Sequence, residues 1–399
     1  MVLENIPLES AFVIPNMWAV SGSCKSTLFF VALTFLFACS SPQKKNQTST
    51  PLEYDQTVVT PTILQSTNTA DASRNPGQDA PAPIVPKATE RQPPRVPVEL
   101  MQHWVSLDSW SLTNRFGKPQ RDPNSQPPSF VVRSTNGTLG IRIGGTAATW
   151  NGLRLDLAFP PQIGNGRPIV HALDALRNFE PLLAGVGCMD LTNRSIVIDP
   201  GHGGDNTGAK CVSNGRFEKE YTLDWALRLR PLLENAGWRV TLTRTNDMDI
   251  ASSNRIAVAD RAQAGLFLSL HFNSVNGNGS AGEHGGLETY CLTPAGMPSS
   301  ITREFEDNRN RAYPNNAFDA ENLHYAVRLH QALIAGTSRR DRGVRRARFM
   351  TVLQGQNRPA VLIEGGYLTD SKESRVIATA EYRQKLAEAV AKALNEQLH

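Results

Sequence analysis

The sequence is poor in the residues that build disulfide scaffolds and short metal motifs. Five cysteines are spread over 399 residues, and no two of them form a Cys-x-x-Cys pair. This excludes a disulfide-built domain, a zinc ribbon and a thioredoxin-like site. No His-Glu-x-x-His motif occurs either, so the ligands of any metal site must come from distant parts of the chain.

An excess of charge of one sign is also lacking. The 41 Lys and Arg residues nearly balance the 37 Asp and Glu residues, which leaves a formal net charge of +4. That balance argues against a nucleic-acid-binding protein, which usually has a concentrated basic face. Because 40% of the residues are hydrophobic, the chain can form two or three domains with at least one core.

Long apolar runs are rare. The only one, residues 28–38, is too short to span a bilayer comfortably. Lys25 precedes it and Cys39 follows it, which is the layout of a secretory signal peptide. Its end, residues 36–39 (LFAC), resembles the lipobox of bacterial lipoproteins, whose cysteine is acylated. We predict a signal peptide over 1–39, export to the cell envelope or periplasm, and a lipid anchor at Cys39; an ordinary cleaved signal peptide is the alternative.

Two regions follow the signal peptide. Residues 40–97 hold ten of the 26 prolines, and such a segment buries too little apolar surface to fold, so we predict a disordered tether. Residues 98–190 contain two Asn-Gly dipeptides, at 136–137 and 151–152, each between alternating apolar runs. These predict β-hairpins in a small β-rich module. The end of the module resembles the stalk-type domain first named from copper amine oxidases. We expect the module to be a structural or wall-contacting spacer.

Residues 194–399 alternate between strand and helix patterns. This predicts an α/β domain whose mostly parallel sheet is covered by helices on both faces. Pro231 lies inside the first helical pattern and is expected to kink or split that helix. The predicted strands are 195–199, 238–243, 266–270, 287–292 and 360–363, and the main predicted helices are 223–236, 254–264, 320–334 and 381–396.

Chemically active side chains follow three of these strands. The strands lead into His202, His271 and Glu364, and Glu218 stands where the first helix begins. In open α/β sheets, ligands collect at the carboxyl ends of the strands. Two histidines and a carboxylate form the ligand set of a catalytic zinc site that keeps one position open for water. Glu364 can then take the proton from that water.

Several blocks of the α/β domain occur in a characteristic order. They are 198–204 (IDPGHGG), 218–219 (EK), Arg255, 269–273 (SLHFN), 286–290 (GLETY), 342–344 (RGV) and 359–370 (PAVLIEGGYLTD). Together they resemble the zinc-dependent N-acetylmuramoyl-L-alanine amidases of the AmiA, AmiB and AmiC type, over nearly all of 194–399. The resemblance implies one Zn²⁺ on His202, Glu218 and His271, with Glu364 as the catalytic carboxylate. It also implies hydrolysis of the peptidoglycan amide between N-acetylmuramic acid and L-alanine.

Other polar residues near these blocks are weaker candidates. Glu288 is expected either to orient a metal ligand or to cap a strand. Asp199 is expected to organise the local loop. Asn273 is a further candidate for a side chain that supports the metal ligands. A run of six arginines is usually a solvated face, although here Arg342 and Arg345 are candidates for contact with anionic wall polymer or stem-peptide carboxylates. The six arginines are at 339, 340, 342, 345, 346 and 348. The six histidines outside the proposed zinc site are expected to have no catalytic role.

Several alternatives stay open at this point. The chain could be a zinc peptidase that cuts within the stem peptide, or an inactive peptidoglycan-binding protein. The polar segment 294–319 is longer than a common connection. In some relatives a self-inhibitory helix occupies a comparable region until an activator protein binds, whereas here a groove wall or loop is an equal alternative. After removal of the signal peptide, Cys188, Cys211 and Cys291 allow at most one disulfide.

Overall fold

The computed structural model describes residues 91–93, 97–187, 192–275, 285–301 and 307–396. The predicted signal peptide and most of the predicted tether lie outside these residues, so both stay predictions. Within the described part of the chain, no helix has the length and apolar character needed to cross a membrane.

The first part of the fold is rich in short strands. The two hairpins predicted at the Asn-Gly dipeptides are confirmed, because β3 pairs with β4 and β5 with β6, both antiparallel. Asn151 and Gly152 have φ values of 50° and 87°, as a type I′ turn requires. The elements are β1 (Trp104–Ser106), α1 (Leu107–Thr113), β2 (Gln120–Asp122), β3 (Ser129–Ser134), β4 (Gly137–Arg142), β5 (Ala147–Trp150), β6 (Leu153–Asp156), β7 (Gln162–Gly164), β8 (Arg167–His171), α2 (Ala172–Asp174) and α3 (Glu180–Ala184).

The second part alternates strands and helices as predicted. Its elements are β9 (Ser195–Pro200), α4 (Glu218–Glu234), β10 (Arg239–Leu242), α5 (Ser252–Arg261), β11 (Leu266–Asn273), β12 (Leu287–Cys291), α6 (Asp319–Thr337), β13 (Asp341–Arg346), α7 (Thr351–Gln354), β14 (Ala360–Tyr367), α8 (Glu373–Ile377) and α9 (Ala380–Asn395). Strands β10, β9, β11 and β14 are parallel neighbours, whereas β12 pairs antiparallel with β14. The mostly parallel sheet is therefore confirmed.

Helices cover both faces of this sheet. Successive residues of a strand point to opposite faces, so neighbouring residues of β9 show which helices pack on each face. Ile196 and Ile198 pack in a core with residues of α4, α6 and α9. Val197, between them, packs in a second core with residues of α5 and α7. Of the two outcomes expected at Pro231, a split helix is wrong, because α4 continues to Glu234 and Pro231 lies in its last turn. A kink there stays a prediction.

The two parts share one sheet. Strand β13 of the α/β part pairs in parallel with β6, at Val344 and Leu155. Among the described residues this gives an eleven-stranded sheet in the order β10, β9, β11, β14, β12, β13, β6, β5, β4, β3, β2. We call residues 98–190 the N-terminal module. Its hairpins thus extend the sheet that carries the candidate site.

The arginine run does not form a solvated face throughout. Arg346 and Arg348 are each only 2% exposed. Arg346 donates to the Asn178 side chain at 3.1 Å, and Arg348 donates to the carbonyl groups of Pro294 and Met297 at 2.8 and 2.9 Å. The usual interpretation of such a run is therefore wrong for these two residues, whose buried guanidinium groups connect separate parts of the chain.

Of the three cysteines predicted for the mature protein, two lie among the described residues. Cys211 and Cys291 are both buried and both have free thiols, so they do not form a disulfide with each other. Cys188 lies outside the described residues, and a pairing that involves it stays a prediction.

A buried carboxylate in the N-terminal module gives a first test of this fold. Asp174 is 1% exposed and accepts hydrogen bonds from the backbone N–H groups of Ala158 at 3.0 Å and Phe159 at 2.9 Å. It also accepts one from the Asn178 amide at 2.8 Å. Burial raises the pKa of Asp174 to about 6 despite these three bonds.

We expect Asp174→Asn to lower the free energy of unfolding by about 1–3 kcal/mol. Asparagine offers one acceptor oxygen instead of two, so one buried backbone N–H loses its partner. Urea unfolding measures the change. The exposed Asp122 provides the control, since Asp122→Asn should stay within about 0.5 kcal/mol of the unaltered protein. Equal stability of all three proteins would contradict this account of Asp174.

Candidate metal centre

Three side chains that are far apart in sequence meet at the carboxyl edge of the sheet. His202 follows β9, Glu218 begins α4 and His271 lies in β11. Their ligand atoms all lie within 4.8 Å of one another. Glu218 Oε1 is 3.1 Å from His202 Nε2 and 3.0 Å from His271 Nδ1. Two imidazoles and one carboxylate at this spacing fit the donor set of a catalytic zinc site.

Glycines make this close approach feasible. A Cβ atom at Gly201 would lie 2.2 Å from the His271 ring, and one at Gly208 would lie 2.6 Å from Glu218 Oε2. Gly208 also has a φ of 67°, which side chains rarely adopt. His202 itself has a φ of 62°, an uncommon conformation that turns the loop sharply after β9.

Hydrogen bonds fix the orientation of the ligands. His202 Nδ1 lies 2.8 Å from Asn206 Oδ1, so the ring can donate from Nδ1 and keep Nε2 for a metal. Glu218 accepts from the backbone N–H groups of Ala209 at 2.9 Å and Phe272 at 3.0 Å. Burial alone would raise the pKa of Glu218, but hydrogen bonds from the two histidines outweigh burial and lower it. Burial alone would lower the pKa of His202, but Glu218 raises it.

Glu364 lies beside these ligands without being one of them. In the strand register it stands opposite His271 of β11 on one side and Glu288 of β12 on the other. Its Oε2 atom is buried and has no hydrogen-bond partner in the described part of the chain. Burial, and then the charges of Glu218 and Glu288, raise the pKa of Glu364 well above its ordinary value. Such a carboxyl group is suited to accepting a proton.

Glu288 is a fully buried carboxylate with several donors around it. Asn273 Nδ2 donates to its Oε2 at 2.8 Å. The other donors are Tyr290 Oη at 2.6 Å, Arg342 Nε at 2.7 Å and Tyr367 Oη at 2.8 Å. Burial alone would raise the pKa of Glu288, but the charge of Arg345 and three of these bonds lower it. Glu288 is thus held as an anion that orients Asn273, and it is not one of the three clustered metal-ligand candidates.

Asp199, near the end of β9, binds side chains from three other parts of the chain. It accepts hydrogen bonds from Thr243 at 2.6 Å, Ser269 at 2.8 Å and Arg255 at 2.6 Å. Arg255 in turn donates to the carbonyl oxygen of His202 at 2.8 Å. The carboxylate therefore supports the candidate ligand His202 through Arg255, without entering the cluster itself.

A cavity of about 680 Å³ opens over the three candidate ligands and Glu364, a size typical of ligand sites. Asn273 lines it, together with further polar residues (Asn206, Asp249, Ser252) and apolar residues (Phe349, Met350, Val352). Arg342 and Arg345 are not among the lining residues, because their side chains lie against Glu288. The described residues of 294–319 do not line the cavity either.

Comparison with known proteins assigns residues 196–396 to a family model described as N-acetylmuramoyl-L-alanine amidase. Amidase AmiA of Escherichia coli is 30% identical over 227 residues, which cover 52% of this chain and 76% of AmiA. Amidase LytC of Bacillus subtilis is 32% identical over 200 residues, which cover 50% of this chain and 34% of LytC. The solved catalytic domain of CwlV, an amidase of Bacillus (Paenibacillus) polymyxa, is 28% identical, with a TM-score of 0.41 over 50% of this chain and 94% of that chain.

Proposed function

The chain belongs to the N-acetylmuramoyl-L-alanine amidase family, and we propose that His202, Glu218 and His271 hold the zinc ion for its reaction. It hydrolyses the amide bond between N-acetylmuramic acid and L-alanine in peptidoglycan. A zinc ion in this place supplies a Lewis acid that polarises the scissile carbonyl and lowers the pKa of the attacking water. The observation that carries this proposal is the convergence of the three ligand groups within 4.8 Å.

Glu364 performs the proton transfers. It takes a proton from the water as the carbon–oxygen bond forms, and it delivers a proton to the nitrogen of L-alanine as the carbon–nitrogen bond breaks. Its buried, unpartnered Oε2 and its position opposite His271 support this role. Asp199 acts through Arg255 to keep His202 in place.

Peptidoglycan lies outside the cytoplasmic membrane, so an enzyme that degrades it is exported. The signal peptide predicted over residues 1–39 supplies that export. A lipid at Cys39 holds the enzyme at a membrane, and the tether of residues 40–97 lets it reach the wall, since extended Pro-rich segments act as spacers. An activator protein is a further partner in this proposal, because the enzyme's substrate is also the cell's structural wall.

Digestion of purified peptidoglycan tests the function. We expect free glycan strands and intact stem peptides that begin with a new amino-terminal L-alanine, as read by mass spectrometry. A chelator should stop the release, and added zinc should restore it. Cuts within the stem peptide would instead identify a peptidase. Binding to the wall without any product would identify an inactive binding protein.

A further inference from the structure

The N-terminal module approaches the catalytic sheet very closely at strand β6. The Arg154 backbone N–H donates to Asp341 Oδ2 at 2.7 Å, next to the pairing of Leu155 with Val344. A Cβ atom at Gly343 would lie only 2.9 Å from Arg154 Cγ, and Gly343 has a φ of 102°. A glycine at this position therefore lets β6 lie directly against β13.

This contact brings a carboxylate of the module next to an arginine of the catalytic sheet. The side chain of Asp156, at the end of β6, is 6% exposed; it lies 2.7 Å from Arg154 Nε and 3.5 Å from Arg345 Nε. The side chain of Arg345 is 12% exposed, and its Nη1 lies 3.5 Å from Glu288 Oε1. Arg345 thus bridges two buried carboxylates, one from each part of the chain.

The second of these carboxylates reaches the catalytic cavity. Glu288 holds the Asn273 amide at 2.8 Å, and Asn273 lines the cavity two residues after the ligand His271. Glu288 also stands opposite Glu364 in the strand register. A continuous set of ionic and hydrogen-bonded contacts therefore leads from Asp156 to the wall of the cavity.

We propose that Asp156 is a positioning residue for amide hydrolysis, which acts through Arg345 and Glu288 on Asn273. Arg342 Nε and Tyr367 Oη already donate to Glu288 Oε1, at 2.7 and 2.8 Å. Without the charge of Asp156, Arg345 moves closer to that oxygen and competes with these two donors. Glu288 then turns, and the Asn273 amide turns with it.

Asp156 lies outside the region that matches the amidase family, which begins at residue 196. It makes the N-terminal module part of the catalytic machinery, whereas a spacer would leave catalysis unchanged. The proposal rests on the amidase function, and the two can fail separately. No hydrolysis by the unaltered enzyme would contradict the function, whereas hydrolysis at full kcat after the loss of Asp156 would contradict the positioning role alone.

The test is Asp156→Asn, which keeps the shape of the side chain and an acceptor for Arg154 but removes the charge that faces Arg345. We expect kcat on peptidoglycan to fall about tenfold, because small displacements of positioned groups are costly, while zinc affinity stays unchanged. In the Glu288→Gln background, Asp156→Asn should have no further effect, since the two residues act in series. Arg345→Lys should also lower kcat, because one ammonium cannot bridge both carboxylates and the charge that faces Glu288 is displaced.

Asp174→Asn is the matched control. It also removes a buried carboxylate of the N-terminal module, but its hydrogen bonds are to Ala158, Phe159 and Asn178. It should therefore lower stability while the folded enzyme keeps its kcat. If Asp156→Asn and Arg345→Lys both retain full kcat, or if the effects of Asp156→Asn and Glu288→Gln simply add, the proposal is overturned.

Discussion

Replacing Glu364 by glutamine lowers kcat by about 10²- to 10⁴-fold, the range expected when a general acid–base group is lost, while zinc stays bound. Glutamine has nearly the same shape as glutamate, so the cavity keeps its form. It cannot accept the proton of the attacking water or deliver one to the leaving nitrogen. Release of L-alanine amino groups from peptidoglycan gives kcat, and atomic absorption of the dialysed protein gives the zinc content.

Glu218→Gln is the matched variant, because both glutamates border the same cavity. Glu218 is one of the three clustered ligand groups and Glu364 is not. We therefore expect Glu218→Gln to lose zinc and activity together, and excess zinc to restore part of the activity. Loss of zinc from Glu364→Gln, or full turnover by it, would refute the separate roles assigned to the two carboxylates.

The sequence predicted which residues meet at the candidate metal centre, because their positions follow from the sheet alone. His271 and Glu364 each lie near the carboxyl ends of parallel strands, and neighbouring parallel strands present these ends at one edge. The structure places the two residues opposite each other in the register of β11 and β14. Glu218 was found for the same reason, since the first turn of a helix that follows such a strand returns to that edge.

The junction between β6 and β13 could not be predicted in this way. Parallel pairing of strands that are far apart in sequence leaves no turn signal between them. Arg346 was expected to be exposed for a related reason, because the groups that accept hydrogen bonds from its guanidinium, such as Asn178, lie far away in the sequence. The contact of Asn206 with His202 had only a weak signal in the sequence, namely an amide side chain four residues after His202 in the same loop.

Arg244 was also missed, and it leads to the second large prediction. It follows β10 and is only 2% exposed. Its guanidinium donates to the carbonyl groups of Pro200 at 3.0 Å, Gly201 at 2.8 Å and Lys219 at 2.8 Å. It therefore ties the chain just before His202 to the first turn of α4, next to Glu218. Burial, and then the nearby charge of Arg255, lower the pKa of Arg244 to about 10, so Arg244 stays charged at neutral pH.

We expect Arg244→Met to weaken zinc binding by about 10- to 100-fold, the usual cost of losing a group that supports metal ligands. Methionine fills much of the space but removes one donor from each of three carbonyl groups, which leaves Pro200 with Arg255, and Gly201 and Lys219 with Thr222. The free energy of unfolding should also fall, by about 1.5–3 kcal/mol, because hydrogen bonds from a charged group are lost. Competition with a chromophoric chelator measures zinc affinity, and urea unfolding of the metal-free protein measures stability.

Two features separate an effect on the metal centre from a general loss of stability. Arg230→Met is the control, because Arg230 lies in α4 but its side chain is 44% exposed and pairs with Glu234. Its zinc affinity and its free energy of unfolding should both barely change. Zinc affinity is measured at a temperature where circular dichroism shows Arg244→Met to be folded, so unfolding cannot account for a weaker affinity. Unchanged affinity in that folded protein would mean that the glycines and Arg255 place His202 without help from Arg244.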